Sequence, residues 1–569
     1  MARSPFGLLA LLCVLTTVHR GEGQRRTPNL ALDVGEGWVP PLFAQDRSTF
    51  RPIYVALAQE RFDALPGDLG VRAARVRYVE VYGVAPTLSV LRRRLAAVTQ
   101  RACDVDHDAI VAFGRRRNAA AGLGALDADD ERQAERRIFR NEELRLRGAL
   151  AGRTERTLDR HQRAMTQRLR EWRRGLQAVR QRLACEGFLR GTVPTTPSID
   201  WKTEAAIAEF ARRHRIYARG ELQGSVLEAL AASPEELERR ALVRVLSERA
   251  RLDWGILADG TGTADNELAR VRAHLEAQLA IGTVEGARTF LDELGTIPER
   301  RLLSIEGFAL PESHGSNLEL EVVIDRGDVR YDPPFDSEGQ RIDQAPLEHP
   351  PTLELRNTTT GESLVRWPTT IGGWRQERSG DSVVWRYKES PVGRGHWERI
   401  VAAPVWLPPA STPDESLRVE DASTGQTVLR RTLLGPGYAS AYGLVAAIHR
   451  RRVGARTTDE GIRTHGSVDY TSVFGDFSHG CHRLQNHRAV ALFSYLIAHR
   501  NHRYEGPVRA DYRRVVDLGD RRETLNVEVR GERFVLDPPI RFEVREGRIL
   551  GDLRRPSDDA FPVASGASD

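Results

Sequence analysis

Lysine is almost missing from this 569-residue chain: Lys202 and Lys388 are the only two among its 84 Lys+Arg residues. Methionine (2) and cysteine (4) are also sparse. Four cysteines over this length exclude a small scaffold held together by disulfides. No apolar run reaches the roughly 20 residues that a bilayer-spanning helix needs, which excludes a multi-span membrane protein. Glycine (49) and proline (29) are too few for a collagen-like fibre. The formal net charge of +5 is too small a surplus to argue for a nucleic-acid partner. What is present is ordinary for a soluble protein, 40% apolar and 29% charged residues. At roughly 150 residues per domain, the length allows about three or four domains.

The first 23 residues read as an export signal. Arg3 supplies a positive n-region, Phe6–Val18 an apolar h-region, and Gly21-Glu22-Gly23 the nearest small-x-small cleavage match. Cys13 lies in the apolar run, but Leu12 before it is not the small residue that a lipoprotein signal uses. Signal removal leaves Cys103, Cys185 and Cys481, an odd number. Cys103 and Cys185 either pair in an oxidising compartment or are simply buried in helices, and Cys481 remains the unpaired thiol.

Residues 24–50 carry proline and arginine without a period and are expected to form a linker. Residues 51–175 read as a helical scaffold. Leu88, Leu91, Leu95 and Val98 recur at three- and four-residue spacing, and the stretch 128–174 alternates Arg and Glu as solvated helix faces do. A smaller unit is expected at 176–232, with helices carrying Val179 and Leu183, Ile207 and Phe210, and Val226, Leu227 and Leu230. Its pieces Val179-Arg-Gln-Arg-Leu183, Gly187-Phe188-Leu189, Thr203-Glu-Ala-Ala-Ile207 and Gly220-Glu-Leu-Gln-Gly224 resemble the peptidoglycan-binding domain family, a three-helix module. The loop Thr192–Asp200 departs from that family's usual turn. Residues 233–308 return to a helical period. From 317 to 548 short alternating runs such as Leu318–Ile324, Val383–Tyr387 and Leu525–Val529 predict a mainly β domain. A polar tail over 549–569 is expected to be disordered.

Chemistry concentrates between Gly443 and Arg483. Gly461-Ile-Arg-Thr464 reads as a strand delivering His465 and Gly466, and a loop then leads to Ser478-His479-Gly480-Cys481-His482-Arg483. A thiol attacks an acyl carbon as its thiolate, and an adjacent imidazole is the usual means of generating one. Glycines allow sharp turns and bring backbone N–H groups towards a developing oxyanion. The run Ala489–Ile497 reads as an amphipathic helix, whose dipole would favour the thiolate if it began near Cys481.

His465-Gly466-Ser467, the loop, and Ser478-His479-Gly480-Cys481 with Arg483 resemble the catalytic motif of the L,D-transpeptidases. The resemblance implies Cys481 as nucleophile, His465 as general base, and His479 beside them. It further implies that Gly480, Ser478 and Gly466 shape the pocket and oxyanion site, while Arg483 supports the pocket or holds a substrate carboxylate. Tyr442 and Trp374 are candidate substrate contacts, with packing as the alternative for both. Two departures stand out: His482 occupies a position that is usually apolar, and an Arg-rich insertion precedes the His465 strand.

The fold expected is therefore a multidomain α+β chain, with a helical scaffold, a peptidoglycan-binding module and a mainly-β catalytic domain, as in large periplasmic members of the family. The family's reaction acylates the cysteine with a tetrapeptide stem, releases D-alanine and forms 3→3 crosslinks. Water or a lipoprotein lysine is an alternative acceptor. The implied partners are stem peptides and glycan strands, with carbapenem-type β-lactams as covalent inhibitors; no nucleic acid, no stable membrane insertion and no cofactor are expected. Two rival readings remain. His465, His479, Cys481, His482 and His487 are all metal-ligand types, although no C-x2-C pair accompanies them. A wall-binding scaffold without turnover would also fit the module order.

Overall fold

Helix boundaries in this chain are written by short polar residues. Ser233 accepts the Glu236 N–H at the start of the helix Pro234–Asp253, and Asp200 accepts the N–H groups of Lys202 and Thr203 at the start of Trp201–Arg213. Asp159 and Gln162 form a capping box that opens Arg160–Cys185. The computed structural model describes residues 29–46, 50–65, 80–101, 103, 105–121, 148, 159–196, 199–217, 222, 224–311, 314–336, 340, 342, 344, 347–380, 382–421, 424–453, 456–467, 473, 478–557 and 561–562. The expected export signal and most of the charged stretch 122–158 lie outside the described residues. Among the described residues no helix is long and apolar enough to cross a membrane.

The helices are α1 (Arg51–Ala58), α2 (Leu88–Thr99), α3 (His107–Ala121), α4 (Arg160–Cys185), α5 (Trp201–Arg213), α6 (Gly224–Ala231), α7 (Pro234–Asp253), α8 (Glu267–Gln278) and α9 (Val284–Glu293). They form two groups with separate cores. In one, Ile110 and Phe113 of α3 pack with Val179 and Leu183 of α4, Ile207 and Phe210 of α5, and Leu227 and Leu230 of α6. The unit expected at 176–232 therefore extends back to α3, and residue 176 falls inside α4 rather than at a boundary. A disulfide joins Cys103 to Cys185 across that extension, which selects the paired alternative.

The other helices share a core with the β region. The segment expected as a linker instead forms β1 (Leu30–Asp33), antiparallel to β2 (Leu302–Ile305), and buries Trp38, Leu42, Phe43 and Phe50. Trp38 donates its indole N–H to Asp253 at 3.0 Å and lies under the Arg249 guanidinium. Composition misled here because proline and arginine are compatible with a packed, non-periodic segment.

The large sheet has nine strands. Its path uses β3 (Leu320–Asp325), β5 (Thr352–Asn357), β6 (Ser363–Pro368), β9 (Gly393–Ala402), β12 (Val445–Val453), β13 (Arg456–Ser467), β14 (His482–Gln485), β15 (His502–Asp517) and β16 (Arg522–Arg545). The order is β14-β13-β12-β9-β16-β3-β5-β6, with β15 paired to β16. Smaller pairings use β4 (Asp328–Arg330), a hairpin of β7 (Gly372–Ser379) and β8 (Ser382–Glu389), and the pair β10 (Arg418–Glu420) and β11 (Thr427–Leu429). The tail expected to be disordered contributes β17 (Arg548–Leu550), parallel to β4, and β18 (Phe561–Pro562), antiparallel to β8.

A short helix α10 (Arg431–Leu434) precedes the site, and α11 (Asn486–His499) follows it. Alanine, valine, leucine, phenylalanine and isoleucine of α11 are buried on every side, not along one stripe. The sheet and the helical layer cover this helix from both directions, so it is a core helix rather than the amphipathic one expected. The α3–α6 unit reaches it through Tyr217, whose hydroxyl lies 2.8 Å from His487 Nδ1, with the two rings stacked at 5.6 Å.

The disulfide closes 82 residues of sequence separation, a loop for which cross-linking contributes about 2–4 kcal/mol. Cys103→Ser or reduction is expected to lower the unfolding free energy from denaturant titration by that amount, with a matching fall in midpoint. A midpoint that ignores reductant would contradict the pairing.

Candidate active site

Strand pairing decides which side chains can meet here. β13 and β14 run parallel, with Thr464 opposite His482 and His465 opposite Arg483. Successive strand residues point to opposite faces. His465 and Arg483 therefore share one face, and Thr464 and His482 share the other.

The backbone at Cys481 is clamped by two buried threonines. The Thr370 hydroxyl donates to the Cys481 carbonyl at 2.9 Å and accepts the Arg483 N–H at 3.1 Å. Thr369 donates to the Arg483 carbonyl at 2.9 Å. Gly480 has φ +94°, and a Cβ there would stand 2.3 Å from the Glu389 carbonyl oxygen. A second clamp comes from Asn486, whose Oδ1 accepts the Leu444 N–H at 3.0 Å while its amide donates to the Ser467 carbonyl at 3.1 Å. A Cβ on Gly466 would lie 2.0 Å from that Oδ1, so this position has room for glycine alone.

His465 is buried, and its Nδ1 is bonded to the Gly466 carbonyl. A carbonyl only accepts, so Nδ1 carries the proton and Nε2 is left with its lone pair. Burial, and then the Arg483 charge, push this imidazole down to about 3. The Tyr442 ring meets His465 edge-on at 5.0 Å. Burial, with the nearby Cys481 adding to it, raises the Tyr442 phenol to about 12. Cys481 is half-buried and is the free cysteine of the described residues. Burial pushes its thiol up, and the Arg463 N–H and the charges of Arg463 and Arg483 pull the other way. At rest the site therefore holds a neutral thiol and a neutral imidazole, not a preformed ion pair. The helix dipole does not change this, because β14 separates Cys481 from the start of α11.

The remaining sequence candidates separate. Ser478 is fully buried, and His479 is exposed. The His479 imidazole is held below its ordinary range by desolvation and then by Arg375. Trp374 is not an open groove residue: at 7% exposure it packs edge-on against Phe335, Tyr387 and the tail's Phe561. His482 points into the core, where Nε2 bonds Ser390 Oγ at 2.5 Å and its ring lies 5.0 Å from His449. It adds nothing beside the thiol. His482 and His465 thus face opposite sides of the sheet, and His487 is bonded to Tyr217, so the histidines of the motif do not converge on one metal.

Sequence reasoning missed Thr369, Thr370 and Arg463. The threonines stand a few residues before Trp374, yet two hydroxyl residues there carry no readable signal. Arg463 binds Asp459 through two contacts of 2.6 and 2.8 Å beside the cysteine. No family model, no characterised protein and no solved structure matches this chain.

His449 and His482 are both buried neutral and both held well below the usual imidazole range, first by burial. Below about pH 6.5 the unfolded chain takes up protons there that the folded chain does not, so stability falls as pH falls. For His482, held down to about 3, this costs about 2 kcal/mol between pH 7.5 and pH 5. His482→Gln is expected to flatten the pH dependence of the unfolding free energy from urea titration by that amount over this range. Parallel pH curves for the two proteins would contradict the assignment.

Proposed function

We propose that this chain is an L,D-transpeptidase of the cell wall, exported to the periplasm, with Cys481 as its nucleophile. The observation that carries the reading is the tautomer of His465. The Gly466 carbonyl holds Nδ1–H, which leaves Nε2 as a base on the sheet face that β14 shares with Arg483. No metal or cofactor is called for, since the nucleophile and the base are both side chains.

In this reading the acyl carbon of the third stem residue docks against Cys481. Sγ forms its bond to that carbon as the thiol proton passes to His465 Nε2, so attack and deprotonation occur together. The resting neutral pair fits this order. Burial disfavours a standing thiolate, and the bound carbonyl supplies the electrophile that makes proton transfer worthwhile. The oxyanion is held by backbone N–H groups at the Gly480–Cys481 turn, kept rigid by Thr370. Collapse breaks the amide C–N bond, and the imidazolium returns its proton to the departing D-alanine amine. The thioester left on Cys481 is then attacked by an acceptor amine, whose proton passes to Nε2 and on to the leaving thiolate.

The α3–α6 unit would hold the enzyme on its polymer as a peptidoglycan-binding module. Trp201, 73% exposed at the start of α5, offers an aromatic face there. The Tyr217 contact with His487 holds that unit against α11, the helix that follows β14.

Incubation with a disaccharide-tetrapeptide, followed by mass analysis, tests the reading. A crosslinked dimer with release of D-alanine is expected, and Cys481→Ala should abolish both. D-alanine loss alone would make water the acceptor on the same site. A substrate left intact by the wild-type protein overturns the proposal.

A further inference from the structure

Sheet register carries more than the two motif residues on the face of His465. The row Arg533–Val401–Ala446–His465–Arg483 crosses β16, β9, β12, β13 and β14 residue by residue. Two residues along each strand, the row Arg399–Ile448–Arg463 lies on the same face. Between these rows is a cavity of about 150 Å³, lined by Arg399, Arg463, Arg530, Arg533, Asp459 and Tyr442 among others. Tyr442 and Arg463 are also walls of the thiol site: the first meets His465, and the second presents its N–H to Cys481.

The four guanidiniums are not balanced from within. Asp459 is engaged with Arg463, and Glu505 meets Arg533 at 3.1 Å. Arg399 has Glu398 only at 3.7 Å, and Arg530 has no ion-pair partner among the described residues. Nε of Arg399 and Nε of Arg533 are buried donors without a hydrogen-bond partner among the described residues. Buried guanidinium donors are satisfied when an anion or water reaches them. A carboxylate matches the planar fork with two parallel bonds.

We infer that this cavity is an anion subsite that binds a free carboxylate of the peptide substrate, on a residue close to the acyl carbon presented to Cys481. The identification of the substrate as a stem peptide rests on the proposed function; the anion site itself rests only on the register, the cavity and the unpaired donors. A carboxylate here fixes the peptide's approach to the thiol, and an amidated peptide leaves the donors unmet. The site thus selects free-acid over amidated substrates. A neutral methylene pocket could not discriminate so strongly, because an unpaired buried charge is penalised more than a missing apolar contact.

The test uses two alkylating reagents of similar size on the full-length protein. Iodoacetate is an anion and iodoacetamide is neutral, and their rates are read at the Cys481 peptide by mass spectrometry. The iodoacetate-to-iodoacetamide rate ratio is expected to exceed that of free cysteine by about tenfold, as for electrostatic focusing in a charged cleft, and to fall with added salt. Arg399→Gln and Arg530→Gln should each lower the ratio about threefold, and Arg394→Gln, an exposed control outside the cavity lining, should leave it unchanged. In parallel, free-acid and amidated tetrapeptides are compared. The two variants should raise KM for the acid and not for the amide. A wild-type ratio equal to that of free cysteine, or variants that retain the wild-type ratio, overturns the subsite. Loss of the ratio in the variants, with no peptide turnover by the wild type, would leave the subsite standing and sink the proposed function instead.

Discussion

The parallel pairing of β13 with β14 is the constraint that the rest of this site depends on. A shift of one residue would send His465 to the core and bring His482 to the outer face, exchanging the two imidazole environments. The protein fixes the register twice. Thr370 holds the backbone at Cys481 and Arg483, and Asn486 ties Ser467 at the end of β13 to Leu444 before β12. Both clamps are buried side-chain hydrogen bonds to backbone groups that no ladder partner satisfies, so losing either strands polar atoms away from water. Gly466 is the cost of the second clamp, since any side chain there would displace the Asn486 oxygen.

The same register produces two contrasting polar environments a single peptide apart. On the core side, His449, Thr464, His482 and Ser390 form a closed network under aromatic cover from Trp397 and Phe542. On the outer side, His465 faces Tyr442, and arginines project around a cavity. Burial holds the imidazoles neutral on both sides, and only His465 shares its face with Arg483 and the cavity arginines. The core network holds the strand, and the outer face is the one to which the proposed chemistry is assigned. A thiol kept neutral by burial is also protected, since thiolate character governs oxidation.

How much of this was readable in the sequence varies with range. The mainly β grammar from 317 onward and the spaced His-Gly-Ser and Ser-His-Gly-Cys pieces were legible because they are local patterns. The isolation of Cys481 as the free thiol followed from counting. The roles of His482 and Trp374 were not legible. Alternation along β14 decides the first, and an aromatic cluster assembled from Phe335, β7, β8 and the tail decides the second. The cavity arginines were invisible for the same reason: Arg399 and Arg533 reach the His465 face across one and two intervening strands, and an arginine-rich chain gives no sign of which ones matter. Residues 29–46 read as a linker because their contacts are with helices more than 200 positions away.

The central claim is that Cys481 Sγ accepts an acyl group while His465 Nε2 takes its proton. Intact-mass spectrometry of the protein after exposure to a carbapenem tests that claim most directly. The account predicts one adduct, mapped to the Cys481 peptide, that forms far more slowly in His465→Ala and not at all in Cys481→Ala. An adduct that persists in Cys481→Ala, or forms at the wild-type rate in His465→Ala, would contradict it.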